Sequence, residues 1–228
     1  MGADEAQGAL HAYGEHPDQV IEHFPADAPN GRTEVVVHGG FWRPRYDRSH
    51  ARPQARALAE LGYDTWLPEY RRMPGDPSAS IGDLLEALAA AHLATPILIG
   101  HSAGGQLALI AGLRSAPAGV ISLGGVVDLE RADALGLGEG AVRAFLGTAA
   151  VNRPDLDPVQ CTPPGFPVEL VHGTEDADVP AELSERLASA WGCGLTILPR
   201  VGHMPLIEPD RAAWARVIAI LARIANIA

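Results

Sequence analysis

Residues 96 to 112 read PILIGHSAGGQLALIAG, and no stretch of the chain restricts its folding more. The apolar run after Pro96 suits a short buried strand, and residues 102 to 115 suit a helix, so strand must turn directly into helix at Gly100-His101-Ser102-Ala103-Gly104. At such an angle side chains at 100 or 104 would collide with the opposite backbone, and Gly105 allows still closer packing. Ser102 is then forced into strained geometry that lifts its oxygen clear of the sheet.

The same alternation continues on both sides. QVIEHFP (19 to 25) reads as an edge strand, TEVVVHG (33 to 39) as a buried one where the sheet begins, and YDTWLPEY (63 to 70) as another short strand. GVISLGG (119 to 125), FPVELVHG (166 to 173) and LTILP (195 to 199) extend the series. Helices are expected over 49 to 62, with Ser49 as cap and Gly62 as stop, and from Ser80, where Ile81, Leu84, Leu85 and Leu88 recur at helical spacing. A last helix starts near Pro209 and carries Trp214, Val217, Ile218 and Leu221 on one face. Strands alternating with helices predict an α/β fold: a mostly parallel sheet with helices on both faces and right-handed crossovers. Residues 128 to 165, rich in Gly and Pro with one helical stretch near EGAVRAFLG, read as a small cap-like insertion over the sheet of a single domain spanning 1 to 228, with 1 to 18 as a polar N-terminal segment.

Charge narrows the function. All 17 basic residues are Arg, which excludes a Walker A lysine, a Schiff-base lysine and a Ser-Lys dyad; a net charge of -11 with scattered arginines argues against nucleic acid. Cys161 and Cys193 lack CxxC spacing and read as reduced thiols, and the remaining histidines show no HExxH pattern, so neither metal nor cofactor is expected. No apolar run approaches the roughly 18 residues a bilayer requires, and the acidic start lacks a basic and an apolar leader region; a cytoplasmic protein without membrane partners is the expectation.

A serine hydroxyl is a weak nucleophile at neutral pH, so Ser102 calls for a base, and the base for an acid that fixes its tautomer. Both should lie downstream. LVHGTEDADVP (170 to 180) ends a strand in a turn with Glu175, Asp176 and Asp178, and His203 in LPRVGHMP stands just past the last strand in a loop able to reach back. His101, the variable residue of the turn, is expected to point elsewhere, though it is also a candidate for the substrate pocket.

From about residue 19 onward the chain resembles the α/β-hydrolases, in motif order as well as spacing. The resemblance implies Ser102 as nucleophile, His203 as base, and Asp176 as acid by its place in HG-x-x-D-x-x-VP (172 to 180), with Asp178 as the alternative. It also implies an oxyanion hole from the N–H groups of Ala103 and of the residues around Gly40 and Phe41, with His38 holding that loop in shape. His38-Gly39-Gly40-Phe41-Trp42 is similar to the HGGxW motif of the kynurenine formamidases (arylformamidases) and their esterase-like relatives; ordinary HGGG esterases carry a third glycine. Trp42 either lines an acyl pocket or plugs the core. The implied activity is hydrolysis of a small ester or activated amide. N-formylkynurenine deformylation, acyl transfer or thioester cleavage, and non-catalytic ligand reception on the same fold stand as alternatives, and oligomeric state is left open.

Overall fold

The computed structural model describes residues 8 to 225 apart from residue 94. Eight strands form one sheet: β1 (Ala9–Ala12), β2 (Val20–Phe24), β3 (Thr33–Val37), β4 (Asp64–Pro68), β5 (Ile97–His101), β6 (Gly119–Leu123), β7 (Val168–Gly173) and β8 (Gly194–Leu198), in the order β1-β2-β4-β3-β5-β6-β7-β8. The pairings of β2 with β1 and with β4 are antiparallel, and all others are parallel. Every residue of β5 and β6 is buried, as expected of central parallel strands covered on both faces.

Helices α1 (Arg52–Glu60), α2 (Pro77–Ala90), α3 (Ala103–Ser115), α4 (Leu129–Ala134), α5 (Leu137–Leu146), α6 (Glu182–Trp191) and α7 (Ala212–Ala225) complete the layers. On one face of the sheet α1 and α7 bury Leu58, Trp214, Val217 and Leu221 against Val36, Ile99 and Ile121. On the other, α2, α3, α6 and the segment after β6 enclose Val35, Leu98, Leu107 and Leu170. Residues 103 to 112 of α3 are all buried, because neighbours cover both its sheet side and its outer side. No helix among the described residues is long and apolar enough to cross a membrane.

Several expectations change. β2 is not an edge: β1, all four residues of which are exposed, pairs outside it. Of the N-terminal segment 1 to 18, residues 1 to 7 lie outside the described residues. Ser49 is not a cap. Asp47 accepts its N–H at 2.9 Å and opens a short 3₁₀ turn (Arg48–Ala51) that leads into α1. α2 starts before Ser80, where Asp76 caps it and Pro77 occupies its first turn. The segment 128 to 165 holds two helices, α4 and α5, and three 3₁₀ turns, and α6 follows β7 without having been expected from the sequence.

Candidate active site

The register Val37↔Gly100 and His101↔Leu123 sets β3, β5 and β6 level, so the loops leaving their C-terminal ends meet above one edge of the sheet. That edge is where open parallel sheets bind ligands. Ser102 sits there at φ 56° and ψ -124°, a conformation an L-residue keeps only when its surroundings enforce it. The surroundings are hydrogen bonds: Ser102 N–H donates to Leu123 O at 2.9 Å, and Ser102 O accepts from Gly105 N–H at 2.9 Å and Val126 N–H at 3.2 Å. The glycines are needed for space, since a Cβ on Gly100 would lie 2.2 Å from Gly104 O and one on Gly104 2.1 Å from Val37 O.

Asp176 and His203 arrive from the loops after β7 and β8. Asp176 Oδ2 accepts from His203 Nδ1 at 2.7 Å, and Oδ1 from the N–H groups of Asp178 at 3.0 Å and Val179 at 2.8 Å. A third partner, His172 Nε2, lies 3.3 Å from Oδ2 while also reaching Val179 O at 2.8 Å; its Nδ1, 2.7 Å from Ser184 Oγ, accepts from that hydroxyl. Burial alone would raise the Asp176 pKa, but the hydrogen bonds of His172 and His203, the charge on His203 and the Val179 N–H outweigh it and hold the carboxyl well below the usual range. Donating through Nδ1 leaves His203 Nε2 as its free basic nitrogen. Asp178 is exposed and bonds no histidine; Glu175 is exposed as well.

Asp176, Asp178 and His203 also form the one group of potential metal ligands found among the described residues, their donor atoms within 4.8 Å of one another. Both Asp176 oxygens are already engaged by N–H donors, which leaves little donor capacity for a cation.

The loop after β3 has an unusual backbone: Gly40, Phe41 and Trp42 all have positive φ, at 116°, 51° and 54°. His38 anchors it. Its Nε2 lies 2.9 Å from Glu69 Oε1, its carbonyl accepts from the Tyr70 hydroxyl at 2.7 Å, and its ring stacks on that of Tyr70. Burial pushes the His38 pKa down to about 3, so the ring is neutral. Gly40 is held closely, since a Cβ there would come 2.5 Å from Cβ of Tyr46. From the insertion, α5 braces the same loop: Gly138 abuts the Phe41 ring, Arg43 bonds Gly138 O, and Phe145 stacks on Trp42 at 4.5 Å between centroids.

These loops enclose a cavity of about 280 Å³, lined by Gly40, Phe41, Tyr46, His50, His101, Ser102, Asp178, His203 and Met204. The structure decides two residues whose place the sequence left open, His101 lining the cavity as a pocket candidate and Trp42 plugging the core. Trp42 does not line it: its ring is 3% exposed, and its Nε1 donates to Gln106 Oε1 at 3.2 Å, which turns it into the core. His101 does not point away: it lines the cavity, donates from Nε2 to His203 O at 3.2 Å and lies against the His203 ring at 4.4 Å. Burial, reinforced by the neighbouring His203, holds the His101 pKa well below the ordinary imidazole value. Sequence reasoning missed Tyr46, His50 and Met204, which converge only through the path of the loops, as well as Glu69, 31 residues from the histidine it meets. Asp128 caps α4 through Arg131 N–H at 2.9 Å and pairs with Arg186.

No family model matches the chain, and no curated protein matches it. Solved structures do. An acetyl ester-xyloside bifunctional hydrolase from Caldicellulosiruptor lactoaceticus is similar at 18% identity and TM-score 0.78, covering 97% of each chain. An esterase from Thermogutta terrifontis with propionate bound is similar at 20% identity and TM-score 0.76, covering 97% of this chain and 94% of its own. A hormone-sensitive lipase from a metagenome library is similar at 22% identity and TM-score 0.76, covering 95% and 82%. The strand order, the strand-to-helix turn at Ser102 and these likenesses over nearly the whole chain agree: the protein has the α/β-hydrolase fold.

Proposed function

We propose that the protein is a serine hydrolase that cleaves small carboxylic esters through Ser102, His203 and Asp176. The observation that carries this reading is the His203–Asp176 bond of 2.7 Å at the wall of the cavity that holds Ser102. His203 Nε2 takes the Ser102 proton as Oγ attacks the carbonyl carbon; Asp176 holds the ring in the Nδ1–H tautomer and stabilises the imidazolium. The N–H groups of Ala103, Gly40 and Phe41 receive the charge that develops on the carbonyl oxygen. His203 then returns its proton to the leaving oxygen as the C–O bond breaks, and a water activated by the same Nε2 hydrolyses the acyl-enzyme. The nearby esterases and lipases of known structure favour an ester as substrate. HGGFW by itself does not favour a formamide, because Trp42, which distinguishes the motif, faces the core.

Turnover of p-nitrophenyl acetate and of N-formylkynurenine, measured side by side for the wild type and Ser102→Ala, tests the proposal. The expected result is cleavage of the ester by the wild type alone, with the variant slower by on the order of 10³-fold or more. A variant retaining more than a few per cent of the rate would overturn it. A preference for the formamide would move the substrate class to the arylformamidases.

A further inference from the structure

Beside the Ser102 cavity lies a second hollow of about 600 Å³, with α1 (Pro53, Ala57) as one wall and the chain after the Met204–Leu206 3₁₀ turn (Ile207, Pro209) as the other. His50 and Met204 line both, so the two hollows adjoin across these side chains. Met204 stands at the junction 41% exposed, one of the few large apolar side chains left in water among the described residues. The charges on the rim are paired, with acids in excess. Arg52 pairs with Glu22 at 2.5 Å, Arg56 with Glu60 at 3.3 Å and with Asp27 at 3.7 Å, and Arg211 with Glu208 at 2.9 Å and with Asp210 at 3.7 Å. Three guanidiniums face five carboxylates there, so the rim disfavours an anionic group, and the floor offers apolar contact.

Reaction chemistry decides which arm of a substrate would lie there. The proton passes from Ser102 Oγ to His203 Nε2 and on to the leaving oxygen, so the leaving group must sit within hydrogen-bond reach of His203, and Met204 is the next residue. The acyl group stays by Gly40 and Phe41, where Tyr46 closes over Gly40 and the space is about 280 Å³. We propose that the hollow between α1 and Pro209 is a leaving-group subsite, making the preferred substrates esters of a short acid with a long aliphatic alcohol. This rests on the hydrolase reading above.

The test compares kcat/KM for ethyl acetate, octyl acetate and ethyl octanoate, the last two being isomers. A buried methylene contributes about three- to four-fold, so even partial burial of six places octyl acetate about 10-fold or more above ethyl acetate. It should also exceed ethyl octanoate. In Ala57→Phe, where the new ring fills the hollow, the ratio of octyl to ethyl acetate should fall towards one. The ratio is the readout because a variant that merely folds poorly lowers both terms alike. Octyl acetate no better than ethyl acetate, ethyl octanoate equal or superior, or a ratio that survives in Ala57→Phe would each overturn the subsite while leaving the hydrolase reading intact. Failure to cleave any of the three esters would overturn both.

Discussion

Among the histidines that hold a ring nitrogen close to a carboxylate, His203 lies 2.7 Å from Asp176 and His38 2.9 Å from Glu69, and these two pairs differ in what else reaches the acid. Glu69 also meets Arg72, and Arg48 at 3.6 Å, so its charge is already neutralised when His38 arrives. Burial, with the Arg72 charge nearby, pushes the His38 pKa down although its two ring nitrogens face Gly39 O and Glu69 Oε1 at 2.9 Å each. Asp176 has no arginine partner among the described residues; it is met by two histidines and two backbone N–H groups. A proton arriving on His203 therefore finds an uncompensated carboxylate, whereas one arriving on His38 would add a charge beside guanidinium groups. In the proposed mechanism the same two side-chain types make a proton carrier in one place and a fixed strut in the other.

Substitutions can break this comparison. Asp176→Asn should have the largest effect on rate, lowering kcat by about 10⁴-fold through loss of the correct His203 tautomer, with KM little changed. A loss of only a few fold, in steady-state assays of folded protein, would place His203 and His38 in the same class. Gly40→Ala comes next. Its φ of 116° and its closeness to Tyr46 mean that a methyl group must displace the loop, so kcat should fall about 10²-fold or more as the oxyanion donors shift. An unfolding free energy lost in proportion to the rate would make the loop structural only.

Glu69→Gln sharpens the contrast from the other side, since it leaves the buried Arg72 with only the half-exposed Asp18, at 3.4 Å, as counter-charge. Urea denaturation should show a loss of about 3–5 kcal/mol, with the rate per folded molecule reduced far less than in Asp176→Asn. The smallest effect concerns an acid with no partner. Glu34 is fully buried beneath α1, both its oxygens lack hydrogen bonds, and burial pushes its pKa from the ordinary 4.5 up to about 8. Between those values the folded state holds a proton that the unfolded chain has released, so stability falls as pH rises from 4.5 through 8. Glu34→Gln should remove that fall, so that melting curves recorded from pH 5 to pH 9 lose the downward slope. An unchanged slope would put the ionisation elsewhere. Asp176 has the opposite sign: its depressed pKa contributes stability above the ordinary carboxylate range, which is lost only as strong acid protonates the group.

The central sheet was legible because parallel strands covered on both faces must be continuous apolar runs, as in β5 and β6. β1, with the sequence ALHA and no buried residue, carries no such pattern and forms by pairing with a strand already in place. Ser102 and the glycines around it were legible for the same local reason, since a sharp turn tolerates few residue types. Trp42 was not, because a β3 loop residue with positive φ can turn its ring either way, and only Gln106 and Phe145, from distant elements, decide. His101 followed the turn's geometry less than a distant acceptor, the carbonyl of His203.

The most direct test is intact and peptide mass spectrometry after exposure to diethyl p-nitrophenyl phosphate, which phosphorylates an activated serine with loss of p-nitrophenol. The account predicts one diethylphosphoryl group per chain on Ser102, formed far more slowly in Asp176→Asn and absent in Ser102→Ala. Labelling at another residue, or labelling that persists in Ser102→Ala, would contradict it.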